Sequence, residues 1–290
     1  MDLPIFLIQT LNSVQYGLLL FLIASGLTLI FGIMGVINLA HGSFYMLGAY
    51  AAFVLSGLTG SLFWAIALGV PLAVAFGYLL EWIFFSFLYR RDHLQQVLLT
   101  YGLILVFEEL RSLAVGDDVH GVSVPATLAR SVALGSTMTY PVFNLFISGV
   151  CLVVAVLLFV LLQRTRLGMM IRAGASNREM VRSLGVDINL LFRVVFALGV
   201  ALAAFAGMVN APASSVYPGM GNQVLIICFV VVVIGGIGSV TGALVAALMI
   251  GFVDTFGKVF LPDYAGILVY LLMAVVLVWR PEGLFRESRA

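Results

Sequence analysis

Residues 3–80 contain no Asp, Glu, Lys or Arg. A water-soluble domain cannot cover its surface with such a run, but a bilayer accepts it. An α-helix rises about 1.5 Å per residue, and roughly 20 residues cross the hydrocarbon core, so the run needs about three crossings. The rest of the chain agrees. Of 290 residues, 63% are hydrophobic and 9% charged, where a soluble domain is about 25% charged. That composition excludes a soluble globular domain and a disordered chain. Thirty Gly and 22 Phe suit close helix packing and lipid contact.

Glycine-rich, polar and charged points divide the chain. The first three segments are 11–35, 37–57 and 62–89, the last admitting Glu81 near its end. Arg90, Arg91, Asp92 and His93 make the first charged turn, and 94–115 is the fourth segment. A polar stretch, 116–140, precedes a fifth segment at 141–162. After a long loop comes the sixth, 191–210, and then a Pro/Gly/Ser loop at 211–223. Residues 224–257 are apolar but interrupted by Gly235, Gly236 and Gly238, and 264–279 is the last helix. The span count turns on 224–257: two crossings give nine, and a re-entrant hairpin gives seven. The start of the chain, with no basic residue before its apolar run, reads as the lead-in to a retained helix. The expectation is an all-α, polytopic integral membrane protein of about eight transmembrane helices, range seven to nine, broken near 35–42 and 235–239. It is a single transmembrane domain over 1–290, with a cytoplasmic loop at 164–190 and a cytoplasmic tail at 281–290.

The basic residues orient it. Arg90 and Arg91 lie in one loop, six Arg from Arg164 to Arg193 in or beside another, and Arg280, Arg286 and Arg289 in the tail, so eleven of the fourteen Lys and Arg fall on one side. The positive-inside rule makes that side cytoplasmic and puts the N-terminus and the loops at 58–61, 116–140 and 211–223 outside. The net charge of +1 gives no field for nucleic acid, and no nucleic-acid partner is expected.

Catalytic signatures are missing. The two Cys, Cys151 and Cys228, lie in apolar stretches, and the three His are far apart, so neither a disulfide framework nor a metal site is expected. The stretch from Gly251 to Lys258 looks like a phosphate loop but has one residue too many between its glycines, and Val259 stands where a Ser or Thr would hold magnesium. The chain is therefore expected not to be an enzyme and to carry no cofactor. A pump built from it must borrow its motor.

The two glycine-broken segments, 32–50 and 230–248, carry more. Non-helical backbone at membrane depth is tolerated where it lines a wet cavity or the protein interior, and a pair of breaks, one in each half, points to a translocation path. Asn38, His41, Gly42 and Ser43 in the first, and Gly235, Gly236 and Gly238 in the second, are the candidate path residues. The plain alternative is close helix packing, which is preferred for Gly199, Ala203 and Gly207. Glu108 with Arg111, and Asp254 with Lys258, read as interfacial ion pairs that fix helix depth. Glu81 is expected to snorkel toward the cytoplasmic surface beside Trp82.

The loop at 164–190 is the strongest single feature. Ser176 as N-cap with Glu179 at N3 predicts a capping box opening a short helix over 177–184, which Gly185 ends. With Met180, Val181 and Leu184, it is a shape that a partner's groove can grip.

Residues 26–50 (GLTLIFGIMGVINLAHGSFYMLGAY), 165–207, 235–248 (GGIGSVTGALVAAL) and the closing RPEGLF resemble the LivH-type permease subunits of branched-chain amino-acid ABC importers, over nearly the whole chain. The resemblance implies a permease in the bacterial inner membrane that moves branched-chain or related amino acids inward. Its implied partners are a second, LivM-like permease, two cytosolic ATPase subunits that use ATP, a periplasmic substrate-binding protein and membrane lipid. It assigns Arg172, Asn177, Arg178, Glu179 and Gly185 to ATPase contact and hinge, and sets the first-break residues along the path. One departure is visible: LIICFVVVVIGG lacks the Lys that some relatives place before the second break. Two alternatives stay open: a permease of the same family for urea, short amides or aromatic acids, and an ion-coupled secondary transporter.

Overall fold

A computed structural model describes residues 3–133 and 139–285. Arg286 and Arg289 of the expected tail lie outside the described residues. The chain is helical almost throughout: α1 (Leu3–Met34), α2 (His41–Thr59), α3 (Leu62–Ile83), α4 (His93–Val115), α5 (Val142–Arg164), α6 (Arg166–Ser176), α7 (Arg178–Ser183), α8 (Ile188–Asn210), α9 (Met220–Gly235), α10 (Val240–Phe260) and α11 (Ala265–Trp279). A two-stranded antiparallel hairpin, β1 (Ser131–Ala133) with β2 (Thr139–Pro141), lies in the stretch expected only to be polar.

Seven described helical segments are long and apolar enough to span a bilayer. Seven lies inside the expected range; the charge-bearing α4 and the 16-residue apolar α9 are further helices of the bundle. The stretch 224–257 resolves into α9 and α10 joined by a glycine turn. The break at 235–239 is thus a turn between two helices of opposite direction, at the end of the bundle that holds the Arg-rich loop.

The core forms around α1, α8 and α10. In α1, seventeen residues are buried, and hydrophobic side chains run around its whole circumference, as a centrally packed helix requires. Alanine and glycine let its neighbours approach. A Cβ on Gly17 would lie 2.9 Å from the Leu248 backbone, and one on Gly32 would lie 2.8 Å from Gly238. Residue numbers rise along α1 as they fall along α10, so the two run antiparallel. The helix α8 buries fifteen residues against α1, α2 and α3. Peripheral helices show the reverse pattern: Leu152, Val153, Val156, Leu157 and Phe159 of α5, and Val278 and Trp279 of α11, are exposed where acyl chains would cover them.

Candidate translocation path and coupling loop

The first break is at membrane depth. The helix α1 ends at Met34, and the chain turns back through Gly35, whose φ of +64° is a left-handed conformation that favours glycine. When α2 starts at His41, the imidazole Nε2 lies 2.9 Å from the Ile23 carbonyl oxygen. Ile23 is eleven residues, roughly 16 Å, up α1 from Met34. Residues 35–40 therefore climb back along α1 to the level of Ile23, and α2 begins there. Asn38 supports the turn: its Oδ1 accepts from the Ala40 N–H at 3.0 Å, and its carbonyl accepts from the His41 N–H at 3.3 Å. Asn38 and His41 are fully buried and Ser43 nearly so. Asn38 Nδ2 and His41 Nδ1 have no hydrogen-bond partner among the described residues. Gly42 meets Gly221 at the start of α9, where a Cβ on Gly42 would lie 2.8 Å from Leu225 Cβ and 2.9 Å from the Gly221 carbonyl carbon. Two helix N-termini thus converge at one level.

The second break joins the end of α9 to the start of α10, beside the Arg-rich loop. Gly235 packs against Gly242, and Gly236 (φ +97°) and Gly238 (φ +85°) make the turn that Ser239 caps by accepting from the Gly242 N–H at 3.0 Å. The RPEGLF segment folds back under it: Leu284 N–H donates to Ile234 O at 2.8 Å and Phe285 N–H to Gly235 O at 3.2 Å. The tail thus satisfies two of the carbonyls that end α9.

Two cavities flank these breaks. The outer one, about 530 Å³, lies between α1, α2, α9 and α10. Its polar wall includes Asn12, Gln15, Tyr16, Asn210, Asp254 and Lys258, and Leu20, Ile23, Met220, Val224 and Ile227 give its apolar part. Asn210 Nδ2 donates to Tyr45 Oη at 2.8 Å, and Tyr140 of β2 donates to Asn12 Oδ1 at 3.0 Å. His41, bonded to Ile23, stands just inside the apolar end. The inner cavity, about 400 Å³, brings Gly35 and Gly238 of the two breaks together with Arg172 and Arg178 of the cytoplasmic loop.

That loop folds as two helices, α6 and α7. The sequence reading missed α6, though its signals are present: Thr165 caps it by accepting from the Gly168 N–H at 3.1 Å, and Gly168, Ile171 and Gly174 recur at helical spacing on its buried face. The expected capping box does not form. Ser176 ends α6, and Asn177 is the cap of α7, its Oδ1 accepting from the Met180 N–H at 3.0 Å. Glu179 falls one position short of N3 and cannot reach back as a box requires. The stop is as expected: Gly185 has φ +86°, its N–H donates to Arg182 O at 3.0 Å, and Val186 N–H donates to Val181 O at 3.4 Å, the paired bonds of a Schellman end. Met180 and Leu184 are exposed while Val181 is buried. The Arg178 guanidinium lies 5.5 Å from the Phe192 ring centre.

Two charged clusters brace the bundle. Glu81 does not snorkel: it is fully buried, accepts from the Tyr89 hydroxyl and pairs with Arg193 at 3.3 Å. A membrane-embedded carboxylate is more stable beside a cation from α8 than alone at the lipid boundary. Tyr89 also packs on Phe192, with centroids 4.9 Å apart, so α7, α8 and the end of α3 are joined. Outside, Arg111 pairs with Glu108 at 3.4 Å, and donates to Asp117 Oδ1 at 2.9 Å and to the Gly116 carbonyl at 2.6 Å. The hydrogen bond from Arg111 holds the Asp117 carboxyl below its usual range. The next residues of this outer loop bridge to the loop after α8, where His120 and Val216 exchange backbone hydrogen bonds of 2.8 Å.

Comparison with known proteins places this architecture. The high-affinity branched-chain amino acid transport system permease protein BraD of Pseudomonas aeruginosa is 30% identical over 96% of this chain and 95% of its own length. The corresponding permease protein LivH of Escherichia coli is 28% identical over 96% and 95%. Its LivM counterpart from the same organism is 27% identical over 97% of this chain and 71% of its own length. The model of the branched-chain amino acid transport system permease component matches residues 9–277. That match takes in both glycine breaks and the two-helix loop of α6 and α7, and the chain belongs to the branched-chain amino acid transport permease family.

Proposed function

We propose that the chain is one half of the membrane pore of an ATP-driven importer in the inner membrane, and that it carries branched-chain amino acids into the cytoplasm with a LivM-like permease as its other half. The observation that carries this reading is the junction of the cytoplasmic loop with the breaks: Arg172 and Arg178, from α6 and α7, line the same cavity as Gly35 and Gly238. A force on α7 therefore reaches the ends of α1 and α10 through a few side chains. The exposed Met180 and Leu184 offer a cytosolic ATPase something apolar to hold, and the Arg residues offer it charge. The chain itself does not hydrolyse ATP, and a periplasmic binding protein delivers cargo to the outer cavity. Transport is then a shift between outward-open and inward-open packings, biased by ATP in the partners. Packing through Gly42, Gly221, Gly235 and Gly242 suits this, because helices in backbone contact slide with little side-chain interlocking.

The test is reconstitution of both permeases and both ATPases in proteoliposomes, with binding protein outside and ATP within. Saturable uptake of leucine, isoleucine or valine is expected, abolished by deleting 175–185. Uptake of urea or short amides in preference to amino acids would overturn the substrate assignment. Uptake driven by a proton or sodium gradient without ATP would overturn the mechanism.

A further inference from the structure

We propose that Asp254 and Lys258 form a subsite in the outer cavity for the α-ammonium and α-carboxylate of a zwitterionic amino acid, with Ile23, Val224 and Ile227 receiving its aliphatic side chain. This inference rests on the amino-acid reading above and assigns its recognition to particular residues.

Three observations converge. First, the pair faces the cavity: both residues line it, Asp254 Oδ2 and Lys258 Nζ are 2.5 Å apart, and Nζ lies 5.7 Å from the ring centre of Tyr16, another lining residue. An ion pair that merely sets helix depth has no reason to face a polar cavity. The helix α10 has a different face for its apolar contacts, where Phe252, Phe256 and Phe260 stack with centroids 6.1 Å apart. Residues 254 and 256 are two positions apart, hence roughly 200° around the helix.

Second, the charge balance is that of the ligand. Asp254 and Lys258 are the two charged residues lining this cavity among those described, one of each sign. A zwitterion exchanges partners with them: its ammonium takes the Asp254 carboxylate, its carboxylate takes the Lys258 ammonium, and no net charge is added. A solute bearing only one charge leaves one protein charge unmatched at the edge of the membrane, which is costly.

Third, the pair can open. Asp254 is largely buried, with 14% of its side chain exposed, whereas Lys258 is 64% exposed and free to swing. Below them, at the same cavity, the lining turns aliphatic. One end of the cavity thus matches the head of a branched-chain amino acid and the other end its tail. The Asn210–Tyr45 hydrogen bond is part of the same wall and ties it to the first turns of α2. Cargo seated here is therefore next to the first break and not in a sealed pocket, as a site that must release inward requires.

The experiment has two arms. In the first, the complete wild-type importer in proteoliposomes is given ATP, binding protein and leucine. Absence of amino-acid uptake would refute the proposed function and the subsite with it. In the second, the permease–ATPase complex in nanodiscs, without binding protein, is titrated with millimolar leucine, and saturation transfer to the leucine methyl protons is read by NMR. Leucine is expected to bind, while leucinamide, lacking the carboxylate, and 4-methylpentanoate, lacking the ammonium, bind more weakly by on the order of tenfold, the worth of one charge-assisted hydrogen bond. Asp254→Asn and Lys258→Gln each weaken leucine binding by a similar factor. The exchanged variant D254K/K258D, which keeps both charges, retains more binding than either single variant. Normal uptake in the first arm, together with equal binding of the three ligands or unchanged binding in D254N and K258Q, would overturn the subsite and leave the importer standing.

Discussion

The buried tie between α3 and α8 makes an asymmetric prediction. Glu81 is fully buried, and Arg193 is about a quarter exposed. Arg193→Met leaves the carboxylate with the Tyr89 hydroxyl and without a counter-charge. Orphaning one member of a buried ion pair costs about 3–5 kcal/mol. Glu81→Gln keeps an acceptor for Tyr89 and leaves Arg193 free to extend toward headgroups or water. It forfeits one charge-assisted hydrogen bond and should cost about 1–2 kcal/mol. In the double variant no charge is stranded, so its cost should resemble that of Glu81→Gln alone, a coupling energy of about 3–5 kcal/mol. The assay is unfolding of the purified chain in detergent or bicelles, with the four members of the cycle compared at one pH. Additive costs, or an Arg193→Met variant as stable as Glu81→Gln, would refute the view that burial of the carboxylate makes the pair matter. Arg193 lies in the first turns of α8, just beyond the cytoplasmic loop. Arg193→Met should therefore also uncouple ATP hydrolysis from uptake, while Glu81→Gln does so less.

Further outcomes follow from single contacts. Gly42→Ala puts a methyl 2.8 Å from Leu225 Cβ and must part α2 from α9; it should cost about 1–3 kcal/mol and slow uptake more than it lowers membrane abundance, read by transport against blot intensity. Asn177→Ala removes the cap of α7 at about 1 kcal/mol, weakening recovery of the ATPase on co-purification, and Asn177→Asp restores it. Asp117 has its pKa lowered by Arg111, so its contribution is full above the unfolded carboxylate pKa and disappears as pH falls through the lowered value. Limited proteolysis of the loop after α4 should accordingly rise only under acid conditions, below about pH 4, and Asp117→Asn should abolish that pH dependence.

Much of the fold is legible because the bilayer simplifies the reading. An uncharged run from 3 to 80 can only be spans, and Arg clusters fix their direction. The breaks are legible because glycine and small polar residues interrupt apolar runs. What was not legible is geometric. Nothing in the run from Gly35 to Ala40 says that the chain climbs back to the level of Ile23, since that depends on the His41–Ile23 contact across eighteen residues. From the sequence Glu81 reads as a boundary residue, because its partner, Arg193, is more than a hundred positions away and stands beside a loop. The cap of α7 is Asn177 and not Ser176 because both residue types cap well, and Ser176 is taken up as the last residue of α6, a helix the loop reading did not contain. Asp254 and Lys258 were legible as a pair, but only the packing of α1 against α10 shows that they face a cavity.

The measurement closest to the central claim compares proteoliposomes holding this chain alone with proteoliposomes holding it beside its permease and ATPase partners, each loaded with ATP and offered labelled leucine and binding protein. The account predicts accumulation above the external concentration only in the complete assembly, and its loss when the loop from 175 to 185 is removed. Concentrative uptake by the isolated chain would contradict it, because an energy source would then lie within this polypeptide.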